Sequence, residues 1–258
     1  MLSPQPLVPA ALAAKVAGYT WEPIQHGCSG AAVYRLTQPG APMRFLKVGP
    51  TGMMADERDR LAWLAIHLPV PEVHYYLDED EQGYLLMSAI AGLDAIHETH
   101  GDDLPNLVRL LAEGLRLFHA TPIDGCPFDE TIGAKLGRAR QRAAAGLVDP
   151  DDFDEQRLGK TVVEVLAELE GTRPPVEDLV LTHGDYCLPN ILLDGGKLSG
   201  FIDLGRAGVA DRFQDLALAA RSLAYNFGEE WVPLLFEHYG IAPDPHKMAY
   251  FQLLDEFF

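Results

Sequence analysis

The stretch THGDYCLPN, residues 182–190, separates two apolar runs that read as buried strands, LVL before it and ILL after it. It places Asp185 and Asn190 around one strand junction, and another carboxylate, Asp203, ends the run SGFID thirteen residues beyond Asn190. Isolated carboxylates beside buried strands are costly unless a cation or hydrogen bonds compensate them. A shared divalent ion answers that cost, and oxygen ligands point to Mg2+, which takes one or two carboxylates and completes its octahedron with water and phosphate oxygens. One carboxylate is then left to act as a base. Asp185 is the candidate for that role, with Asn190 and Asp203 as candidate metal ligands.

Working outward, the GG pair at 195–196 predicts a turn inside the only clear strand pattern of the second half of the chain. Helical spacing surrounds it, over 107–120, 134–146, 151–169, 215–226, 229–240 and 246–258. The first part reads differently. WEPIQ, AAVYRL and MRFLKVG are short β-leaning runs, MMADERDRLAWLAIHL has helical spacing and stops at Pro69, and EVHYYLD with YLLMSAI forms a hairpin pair around the acidic tip DEDEQG. This predicts an α+β fold of two lobes, a small β-rich one over 1–90 and a larger, mainly helical one over 91–258, with a hinge near 87–92.

Composition narrows the function. The 258 residues are 48% hydrophobic and 22% charged, as in soluble globular proteins. Thirty-eight acids oppose twenty Lys plus Arg, a net charge of −18 that argues against a nucleic-acid or anionic-membrane surface and suits cationic ligands, although solubility explains the total as well. Cys28, Cys126 and Cys187 are widely spaced, which suggests neither a disulfide framework nor a zinc site and fits a reducing cytoplasm. The first residues carry no basic start, and no run is long and apolar enough to span a bilayer, so neither a targeting segment nor a membrane partner is expected. No obligate protein partner is evident.

HGDYCLPN followed by FIDLGR resembles the catalytic loop and metal-binding segment of the kinase-like fold. More narrowly, the run from THGDYCLPN through FIDLGRAGVADRFQDLALAARSL, the loop GCSGAAVYRL and the terminal YGIAPD with LLDEFF are similar to the aminoglycoside 3'-phosphotransferase family, in the family's order along nearly the whole chain. HGDxxxxN by itself also fits choline, homoserine and sugar kinases; RAGVADRFQDLA and LLDEFF narrow the resemblance. It implies a two-lobed protein-kinase-like fold, ATP and Mg2+ as cofactors, and phosphorylation of the 3'-hydroxyl of a cationic aminoglycoside such as kanamycin or neomycin, giving resistance. The alternative within the same chemistry is a kinase of another small amino sugar or amino alcohol. A metal-dependent hydrolase using His183 and Asp185 would need further strand-end histidines, which the nine present do not supply. A nucleotide-binding protein without catalysis is disfavoured because Lys47, Glu57, Asp185, Asn190 and Asp203 are all present.

Lys47 lies in the apolar strand FLKVG, where an ammonium needs an anionic partner. Of Asp56, Glu57 and Asp59 in the next helix, only Glu57 shares the inward face with Leu61 and Leu64, so Glu57 is the expected partner that aligns Lys47 on ATP phosphates. The small residues 27–33 join two strands as any glycine-containing turn would; by resemblance, Ser29 and Gly30 lie over the β- and γ-phosphates, and Ser88 and Ile90 offer a backbone carbonyl and N–H to adenine. Asp255 and Glu256 end a helix, where acids oppose the dipole and a cationic ligand explains them; Phe258 joins them, and Arg206 is expected to orient this end. The acids of 149–156 suit a helix N-terminus, and the resemblance assigns Asp154 and Glu155 to substrate amino groups. Ser222 stands where some relatives carry an Asp. His183 is expected to orient the loop, Asp215 to accept loop N–H groups, Cys187 to fill space, and His97 with His100 to be solvated.

Overall fold

The computed structural model describes residues 8–24 and 30–258. Contacts group the chain into two units, one running to Ala91 and including Ser199–Gly205, the other made of Gly92–Leu198 and Arg206–Phe258.

In the first unit a short helix α1 (Ala10–Ala13) precedes a five-stranded sheet of β1 (Thr20–Ile24), β2 (Ala32–Thr37), β3 (Arg44–Pro50), β4 (Val73–Glu79) and β5 (Gln82–Ser88). The order is β1-β2-β3-β5-β4, and every neighbouring pair is antiparallel. The hairpin expected at the acidic tip is present. Asp80 and Glu81 turn it at φ +54° and +63°, the left-handed conformation of a tight two-residue turn. Leu12, Val16, Trp21, Leu36, Leu46, Tyr84 and Leu86 form one core. Alternation along the strands sends Lys47 and its cross-strand partner Leu85 to the opposite face from Leu46 and Leu86. Helix α2 (Thr51–Leu64) buries Met54, Glu57, Leu61 and Leu64 and packs on β3, β4 and β5. Gly83 permits the approach, since a Cβ there would lie 2.6 Å from that of Met54.

The second unit begins with β6 (Leu93–Asp94), α3 (Leu104–His119), α4 (Ile132–Ala144) and α5 (Val162–Gly171). Then come β7 (Leu179–Thr182), β8 (Ile191–Asp194), β9 (Lys197–Phe201, of which Ser199–Phe201 groups with the first unit), β10 (Gly208–Asp211), α6 (Phe213–Phe227), α7 (Val232–Tyr239) and α8 (Pro245–Asp255). The GG turn does join β8 to β9, with Gly195 and Gly196 at φ +55° and +74°, and β6 extends this pair to three strands. β7 is not part of that sheet. It pairs antiparallel with β10, Thr182 opposite Gly208 and Leu179 opposite Asp211. The helix expected over 151–169 is also different: a single 3-10 turn, Pro150–Asp152, is followed by irregular chain, and α5 starts only after Thr161. Gly159 at φ +86° breaks the run, and Thr161 with Glu164 forms a capping box that sets the true start. Helix α6 is buried from Phe213 through Ala220, and packs on α3, α7 and α8. Two of its buried side chains, Gln214 and Asp215, are polar, and both serve the loop after β7.

Candidate active site

The loop after β7 is held from beneath by a buried carboxylate. Asp215, fully buried in the first turn of α6, accepts the N–H of His183 on Oδ2 at 2.7 Å and the N–H of Gly184 on Oδ1 at 2.8 Å. Gly184 turns the chain at φ +84° so close to the Arg206 carbonyl that a Cβ would sit 2.0 Å from its oxygen, which only glycine tolerates. Gln214 Nε2 donates to the Gly184 carbonyl at 3.4 Å. The loop is thus pinned before it reaches Asp185.

Asp185 is then fixed by its neighbours. Its N–H donates to His183 Nδ1 at 3.3 Å, and its carbonyl accepts the Cys187 N–H at 2.8 Å and Asn190 Nδ2 at 3.0 Å. Asn190 Nδ2 also lies 3.2 Å from Asp185 Oδ2. The Asp185 side chain stays half-buried while its backbone has no freedom. Tyr186 anchors the loop below, its hydroxyl donating to the Leu111 carbonyl at 2.9 Å, and the Leu188 N–H donates to Ser222 Oγ at 3.0 Å. His183 therefore orients the loop and Asp215 accepts its amides, as expected; Ser222, which stands where some relatives carry an Asp, holds the loop. Burial, reinforced by Asp185, pushes the Cys187 thiol up, so it rests protonated.

In the first unit Lys47 Nζ lies 2.7 Å from Glu57 Oε1 and 3.0 Å from Asp203 Oδ1. Lys47 and Glu57 are 9% and 2% exposed, whereas the side chains of Asp56 and Asp59 are 71% and 55% exposed, so the inward-face argument selects the right acid. Burial opposes the charge on Lys47, but the two carboxylates outweigh it and raise the pKa above the ordinary lysine value. Asp203 adopts φ +59°, a conformation an Asp tolerates better than most residues, and its side chain is 41% exposed. Ser29 lies outside the described residues. Gly30 is exposed, with nothing within 4 Å of where a Cβ would stand. Ser88 ends β5, an interior strand, where its N–H and Oγ both bond the backbone of Glu72, and Ile90 follows two residues later.

The residues singled out for substrate fall into two groups of the second unit. Arg206 Nη1 reaches Asp255 Oδ1 at 3.1 Å and Nη2 reaches the Phe258 oxygen at 2.6 Å, while Arg221 also pairs with Asp255. Asp255 is half-buried, and the loss of water disfavours its charge, yet Arg221 and Arg206 together hold its carboxyl below the ordinary range. The dipole argument for a ligand at Asp255 is therefore answered from inside the protein. In the other group Glu256 Oε2 accepts the Asp154 N–H at 3.1 Å, and the Asp154 carboxylate pairs with buried Arg157. Burial and the nearby Asp154 charge push the Glu256 carboxyl up. Glu155 is exposed. Sequence reasoning missed Arg157 and Arg221; a lone cation amid the apolar residues of LALAARSLA was the available signal for the second. His97 and His100 are half-buried, and His97 caps the 3-10 segment Glu98–Asp103. Among the described residues no three His, Cys, Asp or Glu side chains gather as a metal-holding group.

The pattern of the phosphotransferase enzyme family, APH, matches residues 20–251. An aminoglycoside 3'-phosphotransferase of Niallia circulans is 44% identical over 237 residues, covering 90% of each chain. This chain belongs to the aminoglycoside 3'-phosphotransferase family. Solved members of the wider phosphotransferase group share its architecture. The aminoglycoside 3'-phosphotransferase of type VIII superposes with a TM-score of 0.89 at 37% identity, over 96% of this chain and 97% of that one. Aminoglycoside phosphotransferase APH(3'')-Id from Streptomyces rimosus, solved with ADP and streptomycin, gives 0.81 at 30% identity over 95% of each chain. The α+β, two-lobed kinase-like fold expected of this phosphotransferase is the one it has.

Proposed function

We infer that the protein transfers the γ-phosphoryl group of ATP to the 3'-hydroxyl of aminoglycosides and so confers resistance to them. The observation that carries this reading is the likeness, along nine-tenths of both chains, to relatives named for that reaction. The loop geometry supplies a means. Asp185, its backbone clamped and its carboxylate half-buried, receives the substrate hydroxyl proton and aims the oxygen at phosphorus. Its orientation is fixed before substrate arrives, so little reorganisation remains for the transition state.

The lobe over residues 1–90 takes the nucleotide in this reading, and residues 91–258 supply catalysis and the substrate site. Lys47, kept protonated and aimed by Glu57, binds the α- and β-phosphates. Ser29 and Gly30 cover the β- and γ-phosphates, and the Ser88 carbonyl with the Ile90 N–H receives adenine. Mg2+ fits the donors available. The Asn190 amide nitrogen is committed to Asp185, which leaves its oxygen as the donor, and the Asp203 carboxylate is 41% exposed. The bound ion would neutralise phosphate charge. Ammonium groups of the substrate meet Glu155, Asp154 and Glu256; a cation there answers the burial and the Asp154 charge that together raise the Glu256 carboxyl. Arg206 keeps Asp255 and Phe258 in place at the rim. No described helix is long and apolar enough to cross a membrane, and the cytoplasm, which supplies ATP, is the location this chemistry needs.

Mass spectrometry of kanamycin incubated with the protein, ATP and Mg2+ tests the proposal, with one added phosphoryl group at the 3'-oxygen as the expected product. Phosphorylation of a choline-like alcohol or a simple sugar, with kanamycin untouched, would move the protein to another small-molecule kinase activity. Asp185→Ala should abolish turnover and leave ATP binding intact. Turnover that survives this substitution refutes the role given to Asp185.

A further inference from the structure

Asp215 accepts more than the two loop amides. His119, at the end of α3, places Nε2 3.1 Å from Asp215 Oδ2, the same oxygen that receives the His183 N–H. The other ring nitrogen, Nδ1, lies 2.8 Å from the Tyr239 hydroxyl at the end of α7. That hydroxyl lies 2.9 Å from Arg212 Nη1, and Arg212 is gripped by the Asp178 carboxylate at 2.6 Å and 3.0 Å. The His119 and Asp215 side chains are 3% and 0% exposed, so this end of the chain of bonds is dry.

Donors and acceptors permit one arrangement with every group satisfied. Arginine has only donors, so Arg212 donates to the Tyr239 oxygen, and the Tyr239 proton is left for His119 Nδ1. An ionised carboxylate only accepts, so His119 Nε2 carries the proton that meets Asp215. Burial pushes the Tyr239 phenol up, and it keeps its proton. We infer that Tyr239 is a positioning residue for phosphoryl transfer: by donating to His119 Nδ1 it fixes the Nε2–H tautomer of His119, which holds Asp215 in the orientation that grips His183 and Gly184 and through them Asp185. The catalytic consequence rests on the role proposed for Asp185, whereas the tautomer does not.

The test is Tyr239→Phe, which removes one oxygen and leaves the ring packed edge-on to His119 at 5.6 Å. In the unsubstituted protein, nitrogen NMR of labelled histidine should show His119 as the neutral Nε2–H form, and Y239F should mix the tautomers. Steady-state kinetics of Y239F should show kcat lowered about five- to tenfold, the size expected for one neutral hydrogen bond, with KM for ATP and aminoglycoside unchanged. In a His119→Gln background, where an amide N–H meets Asp215 without a tautomer to set, adding Y239F should cause no further loss. An Nδ1–H or doubly protonated His119, or a Y239F enzyme that loses thermal stability while keeping its kcat, would overturn the proposal. If no aminoglycoside is phosphorylated at all, the NMR result still decides whether the relay exists, so the two readings fail separately.

Discussion

Lys47 and Lys135 are both buried, and their surroundings treat them oppositely. Lys47 meets two carboxylates within 3.0 Å. Lys135, 2% exposed, donates to the neutral Gln214 Oε1 at 3.0 Å and lies 5.3 Å from the centre of the Phe258 ring. Burial, only partly offset by Glu130 and aggravated by Arg206, lowers its pKa to about 8. Between about 8 and the ordinary value of 10.5 the unfolded chain holds a proton that the folded one has lost, so stability rises with pH across that window. The full rise from this group is roughly 3 kcal/mol, at about 1.4 kcal/mol per pKa unit. Below the window both states carry the proton and the slope vanishes. Urea unfolding of Lys135→Met beside the unsubstituted protein, at about pH 7.5 and about pH 10, should show this increment missing from the variant; equal pH slopes would contradict it. The fate of Lys47 was legible because its strand and the Glu57 helix are consecutive. That of Lys135 was not, because Gln214 is 79 residues away.

Among the elements, α5 shows how capping outranks composition. The acids of 149–156 look like the start of a long helix, yet the 3-10 turn there ends at Asp152 and the helix waits for Thr161. The Thr161 hydroxyl oxygen accepts the Glu164 N–H at 3.3 Å, and Glu164 Oε2 accepts the Thr161 N–H at 2.8 Å. Because α5 packs on α4 and α8, fraying its first turn weakens both contacts. Thr161→Ala should cost about 1 kcal/mol, read as a lower urea midpoint with an unchanged m-value. A midpoint equal to that of the parent would show the cap to be idle. The TxxE pattern was present in the sequence; the acidic run upstream of it masked the boundary. The β10 strand left no comparable sign. Four residues, GVAD, are too few to show a period, and only pairing with β7 reveals them as a strand.

For the whole molecule, the charge of −18 becomes informative once the substrate is a polycation. An acidic surface draws such a ligand in, and salt shortens the reach of that field. The ratio kcat/KM for kanamycin should fall several-fold as ionic strength rises from about 0.02 M to about 0.2 M, where the Debye length drops from roughly 20 Å to roughly 7 Å. At saturating substrate kcat should not move. A kcat/KM independent of salt would return the acids to the bland role of solubility.

What the sequence determined by itself was the chemistry carried on single segments. Asp185 and Asn190 share one loop, Lys47 and Glu57 belong to consecutive elements, and the glycines at 195–196 set a local turn. Such groups meet because the chain between them is short, so residue type and spacing are enough to place them. The tertiary structure decided which charges are answered and from where. Asp215 receives His119 from 96 residues away, His119 receives Tyr239 from 120, and Asp255 is neutralised by arginines 49 and 34 residues upstream. Those partners are brought together by the packing of buried helices, a property of the whole core that no local pattern records.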